Sequence, residues 1–261
     1  MSDRPRVSVV IPAKNEARNL EHVLPALPPS IHEVVLVDGN SSDDTVEVAR
    51  RLRPDVVVVR QTGKGKGDAL AAGFDAVSGD IIVMLDADGS AEPSEIPAFV
   101  AALRSGADFA KGTRNLPGGG STDITLLRST GNRVLTWTVN RLFKTRYSDL
   151  CYGYNAFWRD CLSVIDVDCE GFEIETLINI RIARSGLRVV EVPSMEFDRI
   201  HGESNLHAVR DGLRVLRTIL RERRRELRVA RRYRRNAKEP VRGFAVLPVF
   251  RIASRSAEAA P

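Results

Sequence analysis

Along this chain, short apolar runs alternate with stretches in which apolar residues recur every three or four positions. The runs read as strands buried on both faces, and the spaced pattern reads as one-sided helices. Val7 to Ile11 is the first predicted strand, followed by a helical pattern through Leu20, Val23, Leu24 and Leu27. Glu33 to Val37 is the second. The next helix carries Val46, Val48, Ala49 and Leu52, and Ser41 and Asp44 stand before it with capping-box spacing. Asp55 to Arg60 is the third strand. Gly63-Lys64-Gly65-Lys66-Gly67 then opens a helix through Leu70, Phe74 and Val77, and Ile81 to Leu85 is the fourth strand. Alternation of this kind predicts an α/β fold with a doubly wound, mostly parallel sheet.

The second half is less regular. Asp108 to Arg114 reads as a strand, Pro117 to Ser121 as a flexible loop, and Leu126, Leu127, Val134, Leu135, Val139 and Leu142 as a helix. A helix is expected after Gly171, a strand over Leu187 to Val192, and a helix over Asn205 to Leu220 with Val209, Leu213, Leu216 and Leu220 on one face.

Charge changes the picture at the C-terminus. Residues 214 to 235 hold eleven arginines and two glutamates, +9, whereas the remainder has 28 basic and 32 acidic residues. A mildly acidic body with a basic block argues against a nucleic-acid-binding body. The predicted organisation is a catalytic domain over 1–212 and a basic helix with a partly disordered tail over 213–261. The apolar run Gly243 to Phe250 is far short of the roughly 20 residues that span a bilayer. Met1 to Arg6 leads straight into a strand without a signal-peptide core, so a cytoplasmic protein is expected, with the basic tail as a peripheral contact on the inner face of the membrane. Cys151, Cys161 and Cys169 have neither zinc spacing nor an even count and read as reduced, packing thiols.

Candidate chemistry gathers at strand ends. The fourth strand stops in Asp86-Ala87-Asp88-Gly89. In open α/β sheets ligands bind beyond the carboxyl ends of strands. Residues two apart in a strand share a face, so Asp86 and Asp88 can reach one divalent cation and leave its other positions to diphosphate oxygens. Glu16 and Asp38 follow the first two strands, and the three ends together outline a nucleotide pocket. Neither a Rossmann nor a P-loop glycine motif is present.

The segments Val10-Ile-Pro-Ala-x-Asn-Glu16, Val37-Asp-Gly-x-Ser-x-Asp-x-Thr45, Gly65-Lys-Gly-x-Ala-Leu70 and Asp86-Ala-Asp-Gly89 resemble those of family 2 glycosyltransferases of the GT-A fold, most of all the polyprenyl- (dolichol-) phosphate mannosyltransferases. The resemblance runs from about residue 7 to 207. It implies Pro12, Ala13, Glu16, Asp38, Lys66, Asp86, Ala87 and Asp88 at the donor, with Mn²⁺ or Mg²⁺ on the Asp86/Asp88 pair. It implies Arg114 and Arg128 on the acceptor phosphate, with Asn132 where relatives carry a serine. Asp149 matches a segment at the sugar site, where it would orient the sugar or act as base. Arg199 and Ser204 match a mobile loop that clamps the diphosphate; Asn205 replaces the usual lysine. His201 on that loop is a candidate third metal ligand or phosphate donor. One of Glu173 and Glu175 is expected to face the site, and spacing does not say which.

The implied reaction is inverting transfer of a hexose from a GDP- or UDP-linked sugar to a polyprenyl phosphate. An ionised phosphate acceptor needs no strong base. Transfer to a hydroxyl of a small molecule is the alternative and would need one, Asp149 being the candidate. A noncatalytic nucleotide-sugar-binding protein is the alternative from another class, and the intact Asp86/Asp88 pair argues against it.

Overall fold

The computed structural model describes residues 4–203 and 206–236, with side chains as far as 230. In chain order the elements are β1 (Val7–Ala13), α1 (Ala17–Val23), β2 (Glu33–Asp38), α2 (Thr45–Leu52), β3 (Val57–Arg60), α3 (Gly65–Ala76), β4 (Ile81–Met84), α4 (Ile96–Arg104), β5 (Phe109–Thr113), β6 (Gly120–Ser121) and α5 (Leu126–Phe143). They continue with β7 (Asn155–Trp158), α6 (Leu162–Ile165), α7 (Ile174–Arg184), β8 (Val189–Pro193), β9 (Met195–Glu196) and α8 (Ala208–Asn236). Seven strands form one sheet in the order β3-β2-β1-β4-β7-β5-β8, and β6 and β9 pair in a small second sheet.

The sheet is parallel except for β7, which runs antiparallel to both β4 and β5. This strand was not anticipated, and it decides the site. Parallel strands end at the ligand-binding edge, whereas an antiparallel strand begins there. The residues before Asn155 are thereby carried to the same edge as Asp86 and Arg114. Met84 stands opposite Asn155, so Gly153 falls beside Asp86.

The continuous apolar strands have the expected cause. Alternate residues of β4 enter opposite cores: Ile81 and Val83 pack with Val9, Ile11, Leu36 and Phe99, while Ile82 and Met84 pack with Val35, Leu70, Phe74 and Leu177. A third apolar cluster joins α5, α7 and α8 through Val139, Tyr147, Ile180, Val215 and Ile219.

Three expectations change. The capping box before α2 does not form: Ser41 Oγ accepts from the Asn15 N–H at 2.9 Å, and the Asp43 carboxylate takes the Thr45 N–H. Tying the β1 and β2 turns together outcompetes the local cap. On α5 the helical period is right but the buried face is not, because Asn132, Thr136 and Val139 face inward while Leu126, Leu127 and Val134 are exposed. The last helix continues to Asn236, sixteen residues past the expected end at Leu220. The compact body runs on to Arg223, past the expected boundary at 212. The segment Gly243 to Phe250 and the last dozen residues lie outside the described residues.

Candidate active site

An open cleft of about 1360 Å³ follows the carboxyl edge of the large sheet. At one end it is lined by Pro12 and Ala13 from the end of β1 and by Lys14, Gly39, Asn40 and Gln61 from the turns after β1, β2 and β3. Asn15 and Asn40 hold these turns with positive φ (58° and 60°), a conformation asparagine tolerates better than most residues. Asp38 is buried just beneath, its carboxylate accepting from the Ser41 N–H at 3.1 Å.

The middle of the cleft holds interlocked charges. Lys66 Nζ lies 2.7 Å and 2.8 Å from the two Asp86 oxygens and 2.8 Å from Glu175 Oε1. Burial alone would lower the Lys66 pKa, but the two carboxylates outweigh it and hold the ammonium charged. Burial pushes the Glu175 carboxyl up against the opposing pull of Lys66. The glycines of the 63–67 segment explain how Lys66 comes so deep: a β-carbon on Gly65 or Gly67 would lie 2.3 Å or 2.2 Å from carbonyls of Glu170 or Cys169. The glycines therefore serve close packing of α3 on the 169–171 segment. A β-carbon on Gly153 would meet Lys66 Nζ at 2.8 Å and Glu175 Oε1 at 3.1 Å.

Asp88 accepts at one oxygen from the Ser90 N–H (3.0 Å) and hydroxyl (2.7 Å), and at the other from Arg199 at 3.3 Å. Arg199 also donates to Glu16 at 2.9 Å. Burial raises the Glu16 carboxyl, while Asn19 and Arg199 oppose that rise. The loop carrying Arg199 is pinned to α1 by Asn19, which bonds the main-chain N–H and carbonyl of His201 at 2.9 Å and 3.1 Å.

At the far end sits a second hub. Asp149 is fully buried and takes three bonds from Arg114 (Nη2 at 2.9 Å, Nε at 2.7 Å and main-chain N at 3.2 Å) and one from the Asn132 amide at 2.8 Å. Burial raises its carboxyl, but Arg114, Lys111 and Asn132 together hold it below the usual aspartate range. Arg114 also donates to Glu196 at 2.9 Å and lies 5.0 Å over the Tyr152 ring. Arg128 is more available: its partner is the half-exposed Asp123, at 2.8 Å. The cleft thus carries the paired strand-end carboxylates at its middle and Arg114 and Arg128 toward its far end.

A model of glycosyl transferase family 2 matches residues 8–166, which contain both nodes apart from Glu175, Glu196 and Arg199. The chain belongs to this family. As a family 2 glycosyltransferase it is 33% identical over 217 residues to the undecaprenyl-phosphate mannosyltransferase of Micrococcus luteus, covering 77% of this chain and 87% of that one. It is 32% identical over 211 residues to the dolichol-phosphate mannosyltransferase of Pyrococcus furiosus, with 77% of this chain matched but only 59% of the longer relative. Among solved structures it resembles the glucosyl-3-phosphoglycerate synthase of Mycobacterium tuberculosis in complex with Mn²⁺, UDP and glucosyl-3-phosphoglycerate, with TM-score 0.68, 25% identity and coverage of 84% and 80%.

In this glycosyltransferase Pro12, Ala13, Glu16, Lys66, Asp86, Ala87, Asp88, Arg114, Arg128, Asn132 and Arg199 all line the one cleft. Three sequence expectations do not meet there. Asp149 is not in the lining, and both of its oxygens accept hydrogen bonds, from Arg114 and Asn132. Asp38 lies below the lining. The His201 ring packs 5.7 Å from the His22 ring and is not among the residues that line the cleft. Ser204 and Asn205 lie outside the described residues. Of the two open acids, Glu175 reaches the node. Asn19 and Glu196 were missed. Asn19 signals itself as a polar residue beside Leu20 on an otherwise apolar helix face, whereas nothing local marks Glu196.

Proposed function

We propose that this glycosyltransferase moves a hexose, with inversion, from a GDP- or UDP-linked sugar to the phosphate of a polyprenyl phosphate. The observation that carries the reading is the form of the cleft. Carboxylates and cations occupy its centre, Arg128 stands farther along, and Leu127, Leu135, Val209 and Val215 line the wall beyond. A phosphate at the end of an apolar chain has that sequence of chemistries. The names of the Micrococcus and Pyrococcus relatives support the same acceptor class.

The nucleotide would lie against the turns at Pro12 to Asn15 and Gly39 to Asn40, with its diphosphate toward Asp88 and Arg199. Two carboxylates two residues apart offer hard oxygen ligands of the kind that Mg²⁺ and Mn²⁺ take, and Lys66 and Arg199 balance their charge meanwhile. A divalent ion held by Asp86 and Asp88 would stabilise charge developing on the leaving diphosphate. The relative solved with Mn²⁺ and UDP supports that assignment. Among the described residues Arg199 Nε has no hydrogen-bond partner, so the guanidinium has a donor to spare for the same oxygens. Arg128 would exchange Asp123 for the acceptor phosphate. Asp149 acts as a positioning residue, which suits an acceptor that needs no base. Among the described residues no helix is long and apolar enough to cross a membrane, and the basic run 214–235 would supply peripheral attraction to anionic lipid.

The test is transfer of radiolabelled hexose to a short-chain polyprenyl phosphate. Arg128→Ala should lose roughly ten- to hundredfold in kcat/KM, the loss of one charge-assisted bond, with donor binding unchanged. If the wild type ignores the lipid phosphate and glycosylates a soluble alcohol, the acceptor assignment is wrong.

A further inference from the structure

The outward face of α5 has no partner among the described residues. Leu126 is 87% exposed, Trp137 67% and Val134 58%, and their spacing places all three on one side of the helix. Such a stripe is costly on a monomer surface and marks an interaction site. Its rim is cationic: Arg133 and Arg141 are exposed, and from Leu126 to Ser148 the chain has five basic residues and no acid.

The same helix forms the edge of the cleft. Leu127, Gly131 and Leu135 line it from α5, and Val209 and Gly212 line it from the start of α8. A glycine within a helix costs about 1 kcal/mol against alanine unless something requires it. Here neither packing nor φ does so, because a β-carbon on Gly131 or Gly212 would meet nothing within 4 Å and neither residue has positive φ. Both line the cleft, and neither puts a side chain into it between α5 and α8.

We propose that the Leu126/Val134/Trp137 face of α5 docks on an anionic phospholipid bilayer, turning the α5–α8 gap toward the lipid so that the acceptor's chain leaves the cleft there; the second clause rests on the proposed acceptor. The occupant follows from charge. A two-fold contact with a second copy would set this acid-free cationic rim against itself. A bilayer of anionic lipids satisfies the rim, and leucine and tryptophan beside arginine form the combination that seats helices at a membrane interface.

The experiment uses the full chain and vesicles without any polyprenyl phosphate, so its outcome is independent of the acceptor. Wild type should float with vesicles containing phosphatidylglycerol at low salt and not with pure phosphatidylcholine. The triple variant Leu126→Ser, Val134→Ser, Trp137→Ser should bind roughly tenfold more weakly or worse, although its arginines are intact. In a Trp158→Phe background, Trp137 is the sole tryptophan, and its emission should shift to the blue and be quenched by brominated lipid. Transfer to a short-chain acceptor in solution should stay at the wild-type level in the triple variant, since none of the three residues lines the cleft, and transfer to a long-chain acceptor in vesicles should fall. Unchanged flotation of the triple variant, an unmoved Trp137 emission, or a wild-type dimer that the triple variant dissolves would overturn the proposal. Loss of short-chain transfer in the wild type would instead count against the acceptor reading alone.

Discussion

Asp149 shows how a single residue changes meaning between sequence and structure. As a carboxylate in a sugar-site segment it reads as a sugar-orienting group or a base; in the structure it is a buried group receiving four hydrogen bonds from Arg114 and Asn132. Asp149→Asn should destabilise the fold by about 3 kcal/mol, because Arg114 keeps Glu196 but loses its bidentate partner in a dry site. The pH dependence has a definite sign. The folded carboxyl lies below the unfolded value of about 3.9, so its contribution is complete above that pH and disappears as pH falls through the folded value. Urea titrations of both proteins should show a gap near pH 7 that narrows only below about pH 4. A gap independent of pH would mean that packing, not charge, is what the substitution removes. Gly153 is the second residue of this kind. Gly153→Ala would drive a methyl into the Lys66–Glu175 pair, and we expect turnover to fall at least about tenfold with a smaller loss of stability. Full activity would show that the node adjusts freely.

Among the elements, α8 is the one whose placement the sequence hides. Its expected apolar face held Val209, Leu213, Leu216 and Leu220, yet Val209, Leu213 and Leu220 are exposed while Val215 and Ile219 enter the third core, and Glu222 is buried and paired with Arg181 of α7. Arg181 donates to Glu222 at 3.1 Å and to Asp168 at 2.7 Å, and Arg184 reaches Glu222 at 3.4 Å. Glu222→Gln should cost about 1–3 kcal/mol, since Arg181 retains Asp168. Its clearest mark should be faster amide exchange over residues 215–222 while β1 and β4 stay protected, measured by hydrogen exchange. Uniform protection would mean that the apolar contacts alone hold the helix. The same anchoring fixes one wall of the cleft, because Val209, Gly212 and Val215 belong to this helix.

At the scale of the whole molecule, the cysteines report on three environments: Cys161 is buried, Cys169 half-buried, and Cys151 half-buried at the cleft wall. Burial pushes the thiols of Cys151, Cys161 and Cys169 each up to about 12. At pH 8 roughly one thiol in ten thousand is then ionised, and only the thiolate reacts. A thiol-specific reagent should label the native protein slowly and titrate three groups once it is unfolded. Rapid labelling of one cysteine in the native state would place that thiol in a mobile or exposed segment.

What the sequence determined by itself was what local pattern controls. Strands buried on both faces need unbroken apolar runs, so β1, β2 and β4 and the polar residues that end them were legible, and with them Glu16, Asp86 and Asp88. The α/β class was legible from the alternation of strands and helices. Which residues share the site was decided elsewhere. An antiparallel β7 reverses the chain, so Gly153 and Tyr152 arrive beside Asp86 and Arg114 although more than thirty residues separate them from either. Glu175 rather than Glu173 meets Lys66 because glycines at 65 and 67 let α3 approach the 169–171 segment. Asp149 has its carboxylate occupied because Arg114, just past the end of β5, donates to it. Periodicity records which side of an element is apolar. It does not record which element comes to lie opposite, and the charges of this cleft take their roles from those neighbours.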